Sequence, residues 1–324
     1  MKIHLYTFLV MSFWLPALTL AQTRDCGRDC LIGIASEYLD ALAANVPEQA
    51  PLADNISFVE NITHMLPGEG TWATTENVSE TYRIFIADPV QSSIGVMTII
   101  HRQTADGVSP ALLGLRLKVE NGEITEAEHL VDEVPPIVDM ASLQAPRVPM
   151  TTAVPERERM DRETLGRVAE GYYEALDRSN SSLGAFAADC ERQENGMITA
   201  AYYLEPDTFE QVDLEGNPPP AVARDCIGQL DSRRFAYIDS IDDRRLVAID
   251  PVNGLVMGFS HFRQSMANGP HRMIAADGSV LMWEEKRDPY DLPAVHVFKI
   301  TEGQIHEVEA IGIFVPYNSA LGWQ

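Results

Sequence analysis

A phrase that recurs near the end of each half is the feature that most constrains how this chain can fold. The segment "KVENGEITEAEHLV" occupies residues 118–131, and "KITEGQIHEVEAIG" occupies residues 299–312, which is 181 positions later. Lysine, glycine, isoleucine and two glutamates recur in register. In a chain of 324 residues, this match predicts two copies of one domain rather than a solenoid, because each copy exceeds about 100 residues.

The start of each half carries a second match. The segments "LIGIASEYLDAL" (31–42) and "LGRVAEGYYEAL" (165–176) are 134 positions apart. Both place apolar residues at i, i+3, i+4, i+7 and i+11, which is the stripe of an amphipathic helix packed on a core. We therefore predict that each copy begins with a long helix, and that Asp161 caps the second one.

The middle of each half carries a third match, between "RIFIADPV" (83–90) and "RLVAIDPV" (245–252), at a distance of 162 positions. The separation grows from 134 to 162 to 181 along the chain. One duplication explains all three values if the second copy gained 28 residues before 245 and 19 more before 299. These insertions are polar and rich in proline and glycine.

Strands are predicted after each helix. The segments 92–102 and 254–263 are rich in β-branched and aromatic residues, and the closing phrases are hairpins with Asn-Gly and Glu-Gly turns. The prediction is an α+β fold in which a curved antiparallel sheet covers one face of each helix. We expect the two copies to pack sheet to sheet as an internal pseudo-dimer. The first copy would be mainly structural and the second would hold a pocket.

The predicted organisation is a signal peptide at 1–21, a first domain at 22–131, a proline-rich linker at 132–161 and a second domain at 162–324. Lys2, an apolar run and small residues before Ala21 are typical of a signal peptide. Cys26 lies too far from the cleavage site for a lipid anchor. We therefore expect a secreted or periplasmic monomer without a membrane anchor.

The net charge limits the kinds of partner that the protein can bind, and the cysteine content predicts disulfide bonds. The formal net charge of −24 argues against nucleic acid, because no basic stripe is present to neutralise phosphates. Four cysteines in an exported chain predict two disulfides, with three alternative pairings, of which we favour Cys26–Cys30 and Cys190–Cys226. A metal or redox role for the first pair is the alternative, but no histidine stands nearby to complete a zinc site. Sequons at four asparagines would accept glycans only in a eukaryotic host: Asn55, Asn61, Asn77 and Asn180.

Six stretches carry a family resemblance: "CGRDCLIGIASEYLDAL", "PLADNISFVEN", "ALLGLRLKVENGEITEAE", "DCERQENG", "RRLVAIDPVNGLV" and "FKITEGQIHEVEAIGIFVPYNSALGW". Over roughly residues 25 to 323 the chain resembles an uncharacterised family of secreted fungal and bacterial proteins. Its plan also resembles the NTF2-like superfamily, also called SnoaL-like or ketosteroid-isomerase-like, in tandem. That resemblance implies a cone-like fold with a pocket between helix and sheet. Proteins with this scaffold include isomerases, lyases, hydrolases and non-enzymes, so the fold alone does not indicate which activity is present.

Four residues are the predicted catalytic groups. His261 and His296 replace Ile99 and Leu115 of the first copy, and each lies on an apolar strand face. A histidine there can act as a general base, although a core histidine is the alternative. Asp189 and Arg192 in "DCERQENG" could orient a substrate or stabilise charge, with a surface ion pair as the alternative. We expect the histidines, with Asp189 or Arg192, to serve one pocket in the second copy.

Further residues are predicted to line that pocket. Tyr172 and Tyr237 could each offer a hydroxyl, although core packing would also explain them. His271 and Trp283 lie in the second insertion, which could form a lid or a loop without function.

The function predicted from the sequence is cofactor-independent acid–base chemistry. No GxSxG elbow, P-loop, dinucleotide fingerprint or HExxH motif is present. We expect an enzyme of the lyase, isomerase or hydrolase kind that acts on a small, largely apolar organic molecule without cofactor or metal. The alternatives are a non-catalytic binding protein and a purely structural protein.

Overall fold

The computed structural model describes residues 26–206 and 221–323. The predicted signal peptide and residues 207–220 of the first insertion lie outside these ranges. The described chain is α+β, as predicted, with few helices and two large curved sheets.

The first half consists of two helices and six strands. These are α1 (Arg28–Ala44), β1 (Leu52–Glu60), β2 (Thr63–Met65), α2 (Thr71–Thr74), β3 (Thr75–Asp88), β4 (Ser93–Thr104), β5 (Gly107–Glu120) and β6 (Glu123–Glu133). A short helix, α3 (Val148–Thr151), and three-residue to four-residue helical turns follow in the linker.

The second half repeats this order and adds a hairpin. Its elements are α4 (Arg162–Asp177), β7 (Phe186–Glu194), β8 (Met197–Ala201), α5 (Cys226–Asp231), β9 (Ser240–Asp250), β10 (Leu255–Gln264), β11 (His271–Ile274), β12 (Val280–Trp283), β13 (Tyr290–Thr301), β14 (Gln304–Gly312) and β15 (Val315–Pro316). Strands β11 and β12 pair only with each other.

The two large sheets have equivalent strand orders. The first is β2-β1-β6-β5-β4-β3 and the second is β8-β7-β14-β13-β10-β9, with β15 paired to β13. The expectation of purely antiparallel sheets was wrong, because β1 pairs with β6 and β7 with β14 in parallel. In each half the strand that follows the helix joins the last strand of the sheet and runs in the same direction. The strand registers match the sequence offsets of 162 and 181, since Ser93 faces Lys118 and Leu255 faces Lys299.

Each long helix packs its predicted apolar stripe on its own sheet. Helix α1 buries Leu31, Ala35, Tyr38 and Leu42, and α4 buries the corresponding residues of the second stripe. Each fully buried large side chain contributes about 1.5–3 kcal/mol, so the two stripes hold the helices in place. The side chain of Asp161 accepts a hydrogen bond from the Thr164 amide, which confirms the predicted cap.

The closing hairpins turn where the sequence predicted. Asn121 and Gly122 have φ values of 55° and 87°, and Glu302 and Gly303 have 53° and 77°. Two successive left-handed residues form the tight turn that matches strand twist. The predicted hairpins β5–β6 and β13–β14 are therefore confirmed.

A third core lies between the two sheets. It combines residues from the outward faces of both, including Ile84, Met97, Ile99, Met257, Phe259, Val295 and Val297. Two glycines of the first sheet allow close approach, because a Cβ at Gly95 would overlap Met257 and a Cβ at Gly114 would overlap Val295. The two sheets therefore bury each other's second face.

Ion pairs cross between the halves in a reciprocal way. Arg28 of the first half contacts Asp250 of the second at 3.1 Å, and Arg162 of the second contacts Asp88 of the first at 2.5 Å. Both aspartates are 1% exposed at the side chain. The two arginines occupy equivalent positions, as do the two aspartates. The two aspartates are the last residues of β3 and β9. Each therefore ends a strand of its own half and also pairs with an arginine of the other half.

The linker, residues 132–161, is a strap that is anchored on the second half through Arg147. Its Arg147 is bound by three carboxylates of the second half, with 3.0 Å to both Glu191 and Glu309 and a short contact to Glu307. Burial raises the pKa of Glu307 to about 7, in part offset by Arg147. A guanidinium with several carboxylate partners anchors the strap to the second half.

Both favoured disulfides are present. Cys26 is bonded to Cys30, and Cys190 on β7 is bonded to Cys226 at the start of α5. Two disulfides are consistent with a protein that folds in an oxidising compartment. Among the described residues no helix is long and apolar enough to cross a membrane.

Candidate active site

A cavity of about 350 Å³ lies between α4 and the sheet of the second half, and we call it the second-half cavity. Its size falls within the usual range of small-molecule sites. Its walls are mostly apolar: Leu176, Phe235, Ile238, Phe262, Leu292 and Phe314. Its polar lining includes Tyr172, Glu194, Tyr237, Gln264, Arg287 and His296.

The equivalent place in the first half is filled by side chains. His129 lies there between Tyr38 and Glu60, with its Nε2 2.9 Å from the Tyr38 hydroxyl and its Nδ1 3.3 Å from the Glu60 carboxylate. Phe58 and Trp72 pack around them, with ring centroids 4.9 Å from His129 and 5.0 Å from Tyr38, respectively. All five side chains are buried. The first half therefore has a packed polar cluster where the second half has space.

Three substitutions account for the difference between the halves. The strand registers equate Phe58 with Arg192, His129 with Ala310, and Leu115 with His296. The small Ala310 leaves the volume that an imidazole fills in the first half. The imidazole of the second half instead stands on the neighbouring strand, because His296 faces Ala310 across the β13–β14 pair.

His296 lies among aromatic rings at the inner end of the cavity. Its ring is 5.4 Å from both Tyr172 and Tyr173 by centroid distance and stacks on Phe298 at 5.8 Å. Burial, together with the charge of Arg192, lowers the pKa of His296 to about 3. The imidazole is therefore neutral at physiological pH. Its Nδ1 lies 3.4 Å from the Tyr173 hydroxyl, and if that hydroxyl donates, the ring proton resides on Nε2.

Tyr172 places a hydroxyl beside His296 whose proton has no acceptor within the described residues. The side chain is 1% exposed, and the guanidinium of Arg192 interacts with its oxygen. Burial raises the pKa of this phenol to about 12, so it keeps its proton. A buried donor of this kind costs about 1–3 kcal/mol while it is unpaired.

Glu194 provides a carboxylate on the opposite side of Ala310. It pairs with Ala310 across the β7–β14 register, two strands from His296, and its side chain is 41% exposed. Arg192 lies behind the wall, with Nε 3.2 Å from Glu194 and Nη2 2.5 Å from Gln229. Arg192 therefore orients the Glu194 carboxylate without lining the cavity itself.

The first half also contributes to this cavity. Asp132, near the end of β6, lines it beside Pro135 and accepts a hydrogen bond from Asn195. Burial raises the pKa of Asp132. The cavity wall therefore holds two carboxylates in different environments.

His261 does not meet His296. Strand alternation places it on the outward face of β10, where it shares the core between the sheets with Phe259. It is fully buried there, and its Nε2 lies 3.4 Å from Asp291 and 3.3 Å from Arg263. Burial and Arg263 lower its pKa. The expectation of one site with two histidines was wrong, because the two residues project from opposite faces of one sheet.

Three other predicted site residues also lie elsewhere. Asp189 is exposed and bonds His306 at 2.7 Å on a groove beside the strap. His271 and Trp283 face each other in the β11–β12 hairpin, and Trp283 packs on Val222 in a small separate cluster. None of the three lines the second-half cavity. The second insertion reaches the cavity through residues just after the hairpin, Arg287 and Tyr290.

The structure thus brings together Tyr172, Tyr237 and His296, with Arg192 directly behind them. Sequence reasoning missed Glu194, Gln264 and the importance of Ala310. A position-by-position comparison of the two halves would have found Ala310 and Gln264, because His129 becomes Ala310 and Arg102 becomes Gln264. Among residues 26–206 and 221–323, no group of three or more histidine, cysteine, aspartate or glutamate side chains is arranged to hold a metal ion.

The fold and cavity define an α+β protein with a small-molecule-sized site in its second half, and comparisons with known proteins give three results. The profile of a domain of unknown function (DUF8021) matches residues 158–312, from just before α4 to the end of β14. No curated protein matches the chain. Nine solved chains are similar to it.

Two of these solved structures show the extent of the similarity. BvnE pinacolase from Penicillium brevicompactum is 14% identical with a TM-score of 0.28, over 36% of this chain and 89% of that one. A putative polyketide cyclase from Silicibacter sp. TM1040 is 13% identical with a TM-score of 0.26, over 47% of this chain and 90% of that one.

Proposed function

We propose that the second half binds a small, largely apolar organic molecule in the second-half cavity and acts on it by cofactor-independent acid–base chemistry. The observation that carries the proposal is the contrast between the halves. The same place is filled by His129, Phe58 and Trp72 in the first half and is open over Ala310 in the second. A duplicated fold needs no cavity for stability, and an unfilled core costs free energy.

The polar groups around Ala310 suit a proton transfer at carbon. Glu194 would accept a proton from a C–H group next to a carbonyl, and the electron pair of that bond would move to the carbonyl oxygen. The neutral Nε2–H of His296 and the hydroxyl of Tyr172 would donate hydrogen bonds to this oxygen as it becomes negative. Return of the proton at another carbon gives an isomerisation, and loss of a leaving group gives an elimination.

Non-catalytic binding is the second candidate, and one observation favours it. The pKa values of about 3 for His296 and about 12 for Tyr172 keep both groups from exchanging protons at neutral pH. Both would then serve only as hydrogen-bond donors to a bound oxygen.

We further propose that the halves are two copies of an NTF2-like unit, packed as an internal pseudo-dimer in an exported monomer. The equivalent strand orders, the reciprocal pairs of Arg28 and Arg162, and the shared core between the sheets support this proposal. In this arrangement the first half provides a scaffold and one wall residue, Asp132.

The test uses Ala310→His, which installs the residue of the first half. The introduced imidazole should pair with Glu194, keep the fold intact and fill the cavity. Wild-type protein should bind the neutral apolar dye Nile red at one site, and the variant should lose at least tenfold in affinity. Equal binding by both proteins, with unchanged circular dichroism, would overturn the proposed site.

Catalysis is tested by untargeted mass spectrometry of a metabolite extract from the source organism. Wild-type protein should consume one compound, and Glu194→Gln should slow its loss by about 10²–10⁴-fold, the usual contribution of a general base. Glu302→Gln, on an exposed turn, is the matched control. A compound that is retained by the protein but recovered unchanged would favour the binding candidate.

A further inference from the structure

The second-half cavity contains an unpaired amide far from the proposed reacting end. Gln264 lines the cavity and is 2% exposed, and its Oε1 is buried without a hydrogen-bond partner among the described residues. The equivalent residue of the first half, Arg102, reaches Glu133 instead. Gln264 therefore places an amide oxygen without a hydrogen-bond partner at the wall of the cavity.

The strand register fixes how far this amide lies from His296. Gln264 faces Tyr290 across the β10–β13 pair, whereas His296 faces Gly258, six residues away along both strands. At about 3.4 Å per residue, the two positions are roughly 20 Å apart along the sheet. Between them the floor is apolar, formed by Phe262, Leu292 and Ala294. The cavity is thus polar at each end and hydrocarbon-like between the ends.

The charges near Gln264 favour a neutral ligand group. Arg287 lines this end, and its Nε lies 3.1 Å from the carboxylate of Glu285. Tyr237 and Tyr290 complete the surroundings, and burial raises the pKa of both phenols, so they remain uncharged. A neutral hydroxyl group of a ligand could donate a hydrogen bond to the unpaired amide oxygen of Gln264.

From this arrangement we propose that the cavity selects an elongated, neutral, mostly hydrocarbon molecule that carries an oxygen function at each end. One oxygen contacts His296 and Tyr172, and the other, a hydroxyl, contacts the amide of Gln264. This inference rests on the proposed function, because it assigns the substrate class of the same cavity. Gln264 determines which ligand is accepted and takes no part in proton transfer.

The experiment measures displacement of Nile red by two probes, 1-decanol and 1,10-decanediol. The diol should bind wild-type protein about five- to tenfold more tightly than the alcohol, which is the effect of roughly one hydrogen bond. Gln264→Leu and the nearly isosteric Gln264→Met should bind both probes equally. Gln103→Leu, at an exposed position of β4, is the matched control and should keep the preference. Melting temperatures verify that each variant is folded.

The outcomes separate the two proposals. If Nile red binds and Ala310→His abolishes its binding, the cavity is established independently of Gln264. Equal affinities of the wild type for alcohol and diol would then overturn the inference, as would failure of both probes to displace the dye. Retention of the preference in both Gln264 variants would also overturn it. Absence of Nile red binding to the wild type would overturn the proposed function itself.

Discussion

At the scale of single residues, each half has a buried histidine near its glutamate and tyrosine, but on a different strand. The histidine lies on β6 in the first half and on β13 in the second. In the first half His129 lies between Glu60 and Tyr38, and all three are satisfied by one another. In the second half the glutamate and tyrosine persist as Glu194 and Tyr172, but the imidazole belongs to His296. The carboxylate is thereby separated from the imidazole, which stays beside the phenol, and all three residues line the cavity. The same groups form a packed core cluster in one half and an accessible set in the other.

His296 should make the protein sensitive to acid. The native state keeps its imidazole neutral down to a pKa of about 3, whereas the unfolded chain takes up a proton below about 6.5. Its contribution to stability is therefore complete above pH 6.5 and is lost as the pH falls toward 3. The volume-conserving His296→Phe variant should lose about 2–3 kcal/mol less than the wild type between pH 7 and pH 4.5.

Urea unfolding at these two pH values measures this difference. His64→Phe, at an exposed position of β2, is the control and should follow the wild-type profile. If His296→Phe also followed it, the assignment of a neutral, buried imidazole would be wrong.

At the scale of elements, the strap holds the two halves through Arg147 and its three carboxylates. Glu307 is protonated in the native state up to a pKa of about 7, whereas in the unfolded chain its pKa is near 4.5. Its contribution to stability is present below pH 4.5 and is lost as the pH rises through 7. The groups that face it are Arg147, Glu191, Glu309 and Asp189.

Glu307→Gln should therefore gain stability relative to the wild type as the pH rises from 4.5 to 8. The relative gain should be about 2 kcal/mol, after allowance for partial exposure. Guanidinium unfolding across this range gives the values, with Glu302→Gln as the exposed control. Parallel pH profiles for Glu307→Gln and the wild type would contradict the prediction, whatever their constant offset from the lost contact with Arg147.

The disulfide between β7 and α5 should stabilise the cavity wall more than the other disulfide stabilises α1. It joins Cys190 and Cys226 across 36 positions, whereas Cys26 and Cys30 are only four apart. Loss of a loop of this length costs about 3–4 kcal/mol, and loss of the short one costs about half of that. Thermal unfolding of Cys190→Ala/Cys226→Ala and of Cys26→Ala/Cys30→Ala tests this order. Equal losses of stability in the two variants would show that strain or residual structure in the unfolded state outweighs the entropy of loop closure.

The elements could be predicted from the sequence more fully than the site could. The apolar stripes of α1 and α4 and the turns at Gly122 and Gly303 follow from local rules of periodicity and dihedral preference. The site depends on which face of a strand each residue occupies and on which strands are neighbours. His261 and His296 were placed correctly on their own strands, but their faces relative to each other depend on the register between β10 and β13. The pattern of residues within one strand does not predict the register between two strands.

At the scale of the whole molecule, the close contacts between the sheets have an unusual symmetry. Gly95 contacts Met257, and Gly114 contacts Val295. In each pair the two residues occupy equivalent positions of the two copies, at the offsets of 162 and 181. A residue meets its own equivalent only near a two-fold axis. Two large side chains cannot share such a position in a close-packed interior, so one member of each pair is glycine.

This geometry predicts that the two members of a pair can be exchanged. Gly114→Val should destabilise the protein by about 1–3 kcal/mol, because its side chain overlaps Val295. Val295→Gly should cost a similar amount or more, because it leaves a cavity and a flexible strand residue. The double variant moves the valine from one copy to the other and restores one large and one small side chain. Its stability should lie within about 1 kcal/mol of the wild type, so the two changes compensate each other strongly.

Chemical denaturation of the four proteins in this double-mutant cycle gives the coupling energy. Gly114→Val combined with Val119→Ala, a change in the separate core under α1, is the control and should be additive. Additive losses for the Gly114 and Val295 changes would mean that the sheets do not meet around a common axis at this point. A compensating pair would instead show that the two copies are still packed as equivalent partners, although only one of them keeps an open cavity.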